Sequence, residues 1–346
     1  MLILISVLFI NTSIVNATVN KKPTINRNEL TMVVGDTYNL EVLNYDETVS
    51  WKSLNNKIAS VSKNGKVTAK KTGQAIIMVS FKNYIYTCRV KVINDSLEVH
   101  YIDVGHGDAI LIEADGKNTL IDAGRKEYAE KIIDYLKEEK ISTIDNFIIT
   151  HAHDDHYGGA IDIINEFEII DVYLTASVTN SKNCKKIIKT INDKKLNLIR
   201  AKAGLEVDMG YNAKGLIVSP TIEEFDTLNS NSIVLRLDYK KKSFLFTGDA
   251  TKESENVMMK LGYDVDVDVL KVGHHGSKTS SGNRFLKEVS PEISIISLGE
   301  TQTTFPSKSV QKTLDKYGGD IYTTRENGNI RIVYTKKGNL KVYKEK

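Results

Sequence analysis

Along residues 24–94 the apolar positions fall in short alternating runs: Leu30–Val34, Tyr38–Leu43, Val49–Leu54, Ala59–Val61, Lys66–Ala69, Ala75–Phe81 and Tyr84–Val92. Gly35-Asp36, Asn64-Gly65 and Gly73 punctuate them. A period of two with turn residues at these intervals predicts strands, and strands this short and this many predict a small all-β sandwich. Trp51, the single tryptophan, lies inside one run and is expected to pack between the sheets.

After the polar link Asn94-Asp95-Ser96 the period changes. Leu97–Val104, Ala109–Glu113 and Thr119–Asp122 read as strands, and Lys126–Lys140 then puts Tyr128, Ala129, Ile132, Ile133 and Leu136 on one helical face. Phe147–Thr150 reads as a buried strand. Further strands are predicted at Leu216–Ser219, Ile233–Asp238, Ser243–Thr247, Val267–Val272, Ile293–Ser297 and Ile330–Tyr334. Helices are predicted at Ala160–Glu166, Ser181–Asp193, Lys252–Leu261, Gly282–Glu288 and Ser307–Lys316. Strands and helices alternating in this way predict a layered α/β domain over residues 97–346, with helices outside the sheets.

Composition changes this picture little. The 346 residues exceed what one core usually organises, and 41% apolar with 26% charged residues is globular usage. A net charge of +3 over this length selects no nucleic-acid or membrane partner. Cys88 and Cys184 lack the spacing of a structural zinc or redox motif and are expected as two separate buried thiols. The lysines at 182, 185, 186, 189, 194 and 195 read as a solvated helix face, without the interleaved aromatics that stack bases. Residues 1–17 form an uncharged, mostly apolar run ending in Val15-Asn16-Ala17, which predicts a signal peptide cleaved after Ala17 and a secreted or cell-surface protein. No other segment reaches the length of a membrane span, so no transmembrane channel is expected.

The candidate chemistry sits at strand ends. His151-Ala152-His153-Asp154-Asp155-His156, followed by Gly158-Gly159, packs three imidazoles and two carboxylates just beyond the strand Phe147–Thr150. Such a turn gains little by packing, whereas divalent ions take neutral imidazole nitrogens and carboxylate oxygens converging from one loop. His151 and His153 share a face and can reach one ion, while Asp155 and His156 point to a neighbouring one. Two further strands deliver Asp249 and the pair His274-His275 at their tips, and a third ends at Asp122, expected to orient a ligand. His100 stands alone and is expected to be structural. Thr323–Gly328 reads as a hairpin turn carrying Arg325.

Two resemblances follow from these residues. Val49–Ser53, Ile58–Ser62, Asn64–Ala69 and Gly73 resemble the bacterial immunoglobulin-like domain of group two, a module common on exported surface proteins, which implies a spacer or a cell-wall attachment role for residues 24–94. The H-x-H-x-D-H cluster, the later Gly248-Asp249 and the strand-end histidines resemble the metallo-β-lactamase superfamily. Ile102–Ala109, Leu120–Gly124, Asn229-x-Asn231-Ser232, Leu245–Asp249 and Leu270–Ser277 narrow this to the ComEC-type competence hydrolase domain.

That resemblance implies an αββα fold and two divalent ions, zinc or manganese, held by His151, His153, Asp155, His156, Asp249 and His274. It also implies a dimetal-activated hydroxide oriented by Asp155. His275, with Ser277 and Lys278, is assigned to substrate or leaving-group contact, although the order of the two adjacent histidines can be reversed. His106, where such relatives often carry glutamine, Asp108, Asn231 and Arg325 are expected at the substrate. The superfamily pattern has another histidine between the cluster and the aspartate, but residues 157–248 contain none, so Asn231, Ser232 or water is expected to complete that site. The implied activity is hydrolysis of a phosphodiester, with nucleic acid as the first substrate class. The alternatives are a cell-wall esterase acting on phosphorylcholine-type decoration, a lactonase-like or β-lactamase activity, and a non-catalytic surface binding protein.

Overall fold

A computed structural model of the chain describes residues 21–177, 182–221 and 225–346. The segment read as a signal peptide lies outside the described residues. The chain divides into two compact units, residues 1–94 and 95–346.

The first unit is a β-sandwich. Glu29–Val33, Tyr84–Ile93, Gly73–Phe81 and Ser50–Ser53 form one sheet in that order, and Thr37–Asn39, Lys66–Ala69 and Ala59–Val61 form the other. Met32, Leu40, Val67, Ile77, Cys88 and Val90 fill the space between them, with half-buried Trp51 packed against that core. The strand expected at Tyr38–Leu43 ends at Asn39, and Val42–Leu43 pairs separately with Thr24–Ile25.

The second unit contains two larger sheets. The first is built from β1 (Leu97–Tyr101), β2 (Ile110–Ala114), β3 (Lys117–Ile121), β4 (Thr143–Ile148), β5 (Glu168–Leu174) and β6 (Asn197–Arg200). The second is built from β7 (Glu206–Asp208), β8 (Ala213–Ser219), β9 (Val234–Tyr239), β10 (Lys242–Phe246), β11 (Val269–Lys271), β12 (Ile293–Ile296) and β13 (Asp320–Thr323). The chain then returns to the first sheet as β14 (Ile330–Tyr334) and β15 (Leu340–Lys344). The strand orders are β6-β5-β4-β3-β2-β1-β14-β15 and β7-β8-β9-β10-β11-β12-β13. Strands β3 to β6 run parallel, as do β10 to β13.

The layers follow from alternation along each strand. Leu97, Val99 and Tyr101 of β1 and Ile110 and Ile112 of β2 meet Leu235, Leu237, Phe244 and Phe246 of the second sheet in one inter-sheet core. Leu111, on the other side of β2, joins Leu120 and Phe147 beneath α1 (Ala129–Glu138), α3 (Ala160–Glu166) and α4 (Lys182–Asp193). Leu245 and Leu270 join the opposite core under α5 (Lys252–Lys260), α6 (Asn283–Val289) and α7 (Lys308–Tyr317). Central parallel strands buried on both faces read as continuous apolar runs, and Phe244-Leu245-Phe246 is such a run. Helix, sheet, sheet, helix is therefore the layer order.

Several elements differ from the sequence reading. The predicted helix Lys126–Lys140 begins as a 3-10 turn at Lys126–Tyr128 and becomes α-helical at Ala129, burying Ala129, Ile132 and Leu136. Strands β5, β6, β7, β13 and β15 were not predicted. β6, β7 and β15 expose many of their residues, and β5 interrupts its alternation, so the period-two signal is weak in each. The hairpin expected at Thr323–Gly328 is a single helical turn, α8 (Thr324–Asn327), started by Thr323 accepting from the Glu326 N–H.

Candidate metal centre

Four strand ends converge on one place. β3 runs out into Asp122, β4 into His151 and His153, β10 into Asp249, and β11 into His274 and His275. Parallel neighbours necessarily point their C-terminal ends the same way, which is why strand-end residues of β3 and β4, and of β10 and β11, face a common rim. The two sheets are tied together there by the Ile233 N–H donating to Thr150 O at 2.9 Å.

Asp122 is fully buried and has φ 60°, which a non-glycine residue adopts only under constraint. The constraint is visible. Its Oδ1 accepts from the Thr150 N–H at 2.8 Å, and its Oδ2 accepts from the Thr150 hydroxyl and from His156 Nδ1, each at 2.8 Å. His156 is thereby held with Nε2 turned to Asp249 Oδ1, 3.3 Å away. Burial alone would lower the His156 pKa, but the Asp249 and Asp122 carboxylates raise it well above the ordinary value. For Asp249 the balance is opposite in sign: burial pushes its pKa up, and the His156 and His275 imidazoles bring it well below the ordinary carboxylate value.

His151 and His153 approach the other oxygen of the same carboxylate. His151 Nε2 lies 3.7 Å from Asp249 Oδ2 and 3.0 Å from His153 Nδ1, while its Nδ1 meets the Thr150 hydroxyl at 3.0 Å. Burial lowers the His151 pKa well below its usual value, which keeps its imidazole neutral, the form that binds metals. Asp249 itself is held through its backbone N–H donating to Ser232 Oγ at 3.2 Å.

The adjacent histidines behave differently, and both have left-handed backbone, φ 48° and 52°. His275 is fully buried, and its Nδ1 donates to the Ser297 carbonyl at 3.0 Å. Its Nε2 stands 3.5 Å from Asp249 Oδ1 and 3.8 Å from Asp155 Oδ2. Burial brings its pKa down to about 4. The His274 side chain is 24% exposed, with Nδ1 against the Thr279 hydroxyl at 2.9 Å and Nε2 3.4 Å from Asp249 Oδ2. Both imidazoles therefore face Asp249, one at each carboxylate oxygen. His275, assigned to substrate, lies in the buried cluster, whereas His274, assigned to metal, lies at its edge. The left-handed turn aims consecutive side chains in different directions, which strand periodicity does not anticipate.

Among the described residues, His151, His153 and Asp249 bring three ligand atoms within 4.8 Å of one another, as do His156, Asp249 and His275. His156 Nε2, His275 Nε2 and Asp249 Oδ1 are buried without a hydrogen-bond partner, although such atoms are costly to leave unmatched. Imidazole and carboxylate donors converging with these atoms unsatisfied fit divalent ions.

Other predicted residues are placed less uniformly. Asp155 and His106 border the cluster, with His106 Nε2 3.7 Å from Asp155 Oδ2. Ser277 is almost buried, its hydroxyl on Thr279 Oγ1 at 2.9 Å, and Lys278 is exposed beside it. Asp108, expected at the substrate, is buried with its Oδ2 2.9 Å from the equally buried Lys271 ammonium and so is closed to one. Asn231 is engaged within its own loop. Its Oδ1 accepts from the Phe225 N–H at 2.9 Å and its Nδ2 donates to the Phe225 and Thr227 carbonyls at 2.8 and 2.7 Å, so the amide is committed to its own loop. Arg325 Nη1 donates to the Gln302 and Phe305 carbonyls at 3.2 and 3.1 Å, and so braces a loop. His100 meets the Tyr135 hydroxyl at 2.9 Å, away from the cluster. Asn229, Thr279 and the Ser297 carbonyl were missed as site residues. Asn229 belongs to the quoted Asn-x-Asn-Ser motif, but a 3-10 turn at Asn229–Asn231 decides which asparagine meets His274.

Residues 102–300 match the profile of the metallo-beta-lactamase superfamily, and the chain belongs to that superfamily. Residues 19–84 match the bacterial Ig-like domain, group 2. Within the superfamily, the chain is 28% identical over 295 residues to ComE operon protein 3 of Bacillus subtilis (strain 168), covering 79% of this chain and 37% of that protein. It is 30% identical over 280 residues to Recombination protein 2 of Haemophilus influenzae, covering 78% of this chain and 32% of the relative. It is 25% identical over 251 residues to Competence protein ComA of Neisseria gonorrhoeae, covering 70% and 33%. The chain spans about a third of the length of these relatives. Among the described residues no helix is long and apolar enough to cross a membrane.

Proposed function

We propose that the chain is an exported phosphodiesterase that uses two divalent ions, zinc or manganese, and that nucleic acid is its first substrate class. The observation that carries this is the division of Asp249 between two histidine pairs, Oδ2 facing His151 and His274 and Oδ1 facing His156 and His275. A carboxylate shared in this way suits a bridging ligand, with His151, His153 and His274 on one side and Asp155, His156 and His275 on the other. When bound, such ions supply Lewis acidity and lower the pKa of water toward neutrality. Asp122 fixes the His156 ring, the Ser297 carbonyl fixes the His275 tautomer, and Asp155, 3.8 Å from His275 Nε2, is placed to accept a proton from the attacking water. Ser277 and Lys278, beside the cluster, are assigned to the substrate's phosphate oxygens. Competence and recombination in the relatives' names support nucleic acid, and the Ig-like match supports a place at the cell surface.

The test is turnover of single-stranded DNA and of bis-p-nitrophenyl phosphate, with zinc or manganese added, for the wild type and Asp249→Ala. Metal-dependent turnover that falls at least about 1,000-fold in the variant is expected, since both ions lose a ligand. Absence of turnover on both substrates by the metal-loaded wild type would overturn the phosphodiesterase reading in favour of another ester.

A further inference from the structure

We propose that His106 is a third imidazole ligand for the ion held by Asp155, His156, Asp249 and His275, so that the two metal sites are unequal in strength. The inference rests on the two-ion reading above and adds a ligand that neither the sequence reading nor the shared carboxylate supplies. His106, Asp155 and His275 bring three ligand atoms within 4.8 Å of one another. His106 Nε2 is 3.7 Å from Asp155 Oδ2, and the His106 and His275 ring centroids are 4.3 Å apart. Neighbouring donors around one ion at bond lengths of about 2.0–2.1 Å lie roughly 3–3.4 Å apart, so the 3.7 Å between His106 Nε2 and Asp155 Oδ2 needs only a small contraction.

The backbone that carries this imidazole is held by close contacts. Gly107 has φ 151°, and a Cβ there would stand 2.4 Å from Asp155 O, so the loop carrying His106 is pressed on the backbone of Asp155. The Asp108 N–H donates to that same oxygen at 3.2 Å. On the far side, a Cβ on Gly299 would lie 2.8 Å from the His106 amide nitrogen, and the Phe305 ring sits 5.5 Å from the imidazole. The side chain is only 16% exposed, and its Nδ1 is buried with no hydrogen-bond partner. A residue that only lines a substrate path has no need of this clamp.

Counting donors gives the consequence. Asp249 Oδ2 collects His151 and His153, with His274 Nε2 3.4 Å away, three imidazoles and one carboxylate oxygen. Asp249 Oδ1 faces His156 and His275, and His106 and Asp155 stand beside His275, which gives three imidazoles and two carboxylates. Both groups are imidazole-rich and favour zinc over manganese, and the second, which has the Asp155 carboxylate in addition, fills first.

Metal-free protein is titrated with zinc, and separately with manganese, by calorimetry, and bound metal is counted after gel filtration, for wild type, His106→Gln, His106→Ala and His153→Ala. Melting of the metal-free variants checks folding. Wild type is expected to bind two zinc ions in two steps at least about tenfold apart. Both His106 variants are expected to weaken the tighter step about 10-fold or more and leave the weaker one within about threefold, and His153→Ala to do the reverse. A tight step unchanged in both folded His106 variants would overturn the role of His106 alone. Wild type that binds no ion would overturn the two-ion reading itself.

Discussion

Lys271 shows how much a single buried charge matters here. Its side chain is fully buried, Nζ lies 2.9 Å from Asp108 Oδ2, and it also donates to the Val272 carbonyl at 3.0 Å. The Lys271 ammonium is the main influence drawing the Asp108 pKa below the ordinary carboxylate value against the opposing effect of burial. Lys271→Met strands Asp108, and a loss of roughly 3–5 kcal/mol in urea unfolding is expected, with much of it recovered in Lys271→Met/Asp108→Leu. A double variant as unstable as the single one would mean that the pair does more than neutralise itself. Glu255 gives a pH signature. Burial pushes its carboxyl up to about 7 from 4.5, although the Gly282 and Ser281 N–H groups donate to it. A raised folded pKa means that between these values the folded state keeps a proton the unfolded chain has released, so this contribution is complete below about pH 4.5 and fades as pH rises through 7. The stability of wild type relative to Glu255→Gln is therefore expected to decline by up to roughly 3 kcal/mol from pH 5 to pH 8. A flat difference would show the carboxyl to be already ionised at pH 5. Neither residue announces itself in the sequence, because a lysine within an apolar strand and a glutamate on a helix acquire meaning only from their neighbours.

At the scale of elements, the site depends on loops held by close backbone contact. Gly107 is the clearest case, since an added methyl group would meet Asp155 O at 2.4 Å and its φ of 151° disfavours any side chain. Gly107→Ala is expected to lift the segment 105–108 from α2 (Asp154–Tyr157) and weaken metal binding at least about tenfold, with the melting temperature of the metal-free protein lowered by several degrees. Unaltered metal affinity in calorimetry would show that this loop does not position the donors. The strands that carry the site were legible because β4, β10 and β11 are apolar, buried and end in polar clusters. The turns were not. The left-handed pair His274-His275 sends its two rings to different oxygens of Asp249, and the 3-10 turn at Asn229–Asn231 chooses which asparagine meets His274. A pattern that counts residues along a strand stops where the strand does.

At the scale of the whole molecule, each unit has its own core: Met32, Val67, Ile77 and Val90 in residues 1–94, and the three layers around the two large sheets in residues 95–346. Two calorimetric transitions are expected, and stripping metal with a chelator should lower only that of the second unit, because binding stabilises the state that has the site. A single transition, or equal shifts in both, would contradict this. By itself the sequence determined the two textures, the layer order, the superfamily and the cluster of histidines and aspartates, since these depend on local periodicity and on residue types few other uses would gather. Only the tertiary structure decided that Asp249 divides its oxygens between two histidine pairs, that His275 is inside and His274 at the edge, and that Asp108, Asn231 and Arg325 are committed to protein partners. The physical reason is that a side chain's role is set by where its polar atoms find partners, and here many of those partners lie tens or hundreds of residues away.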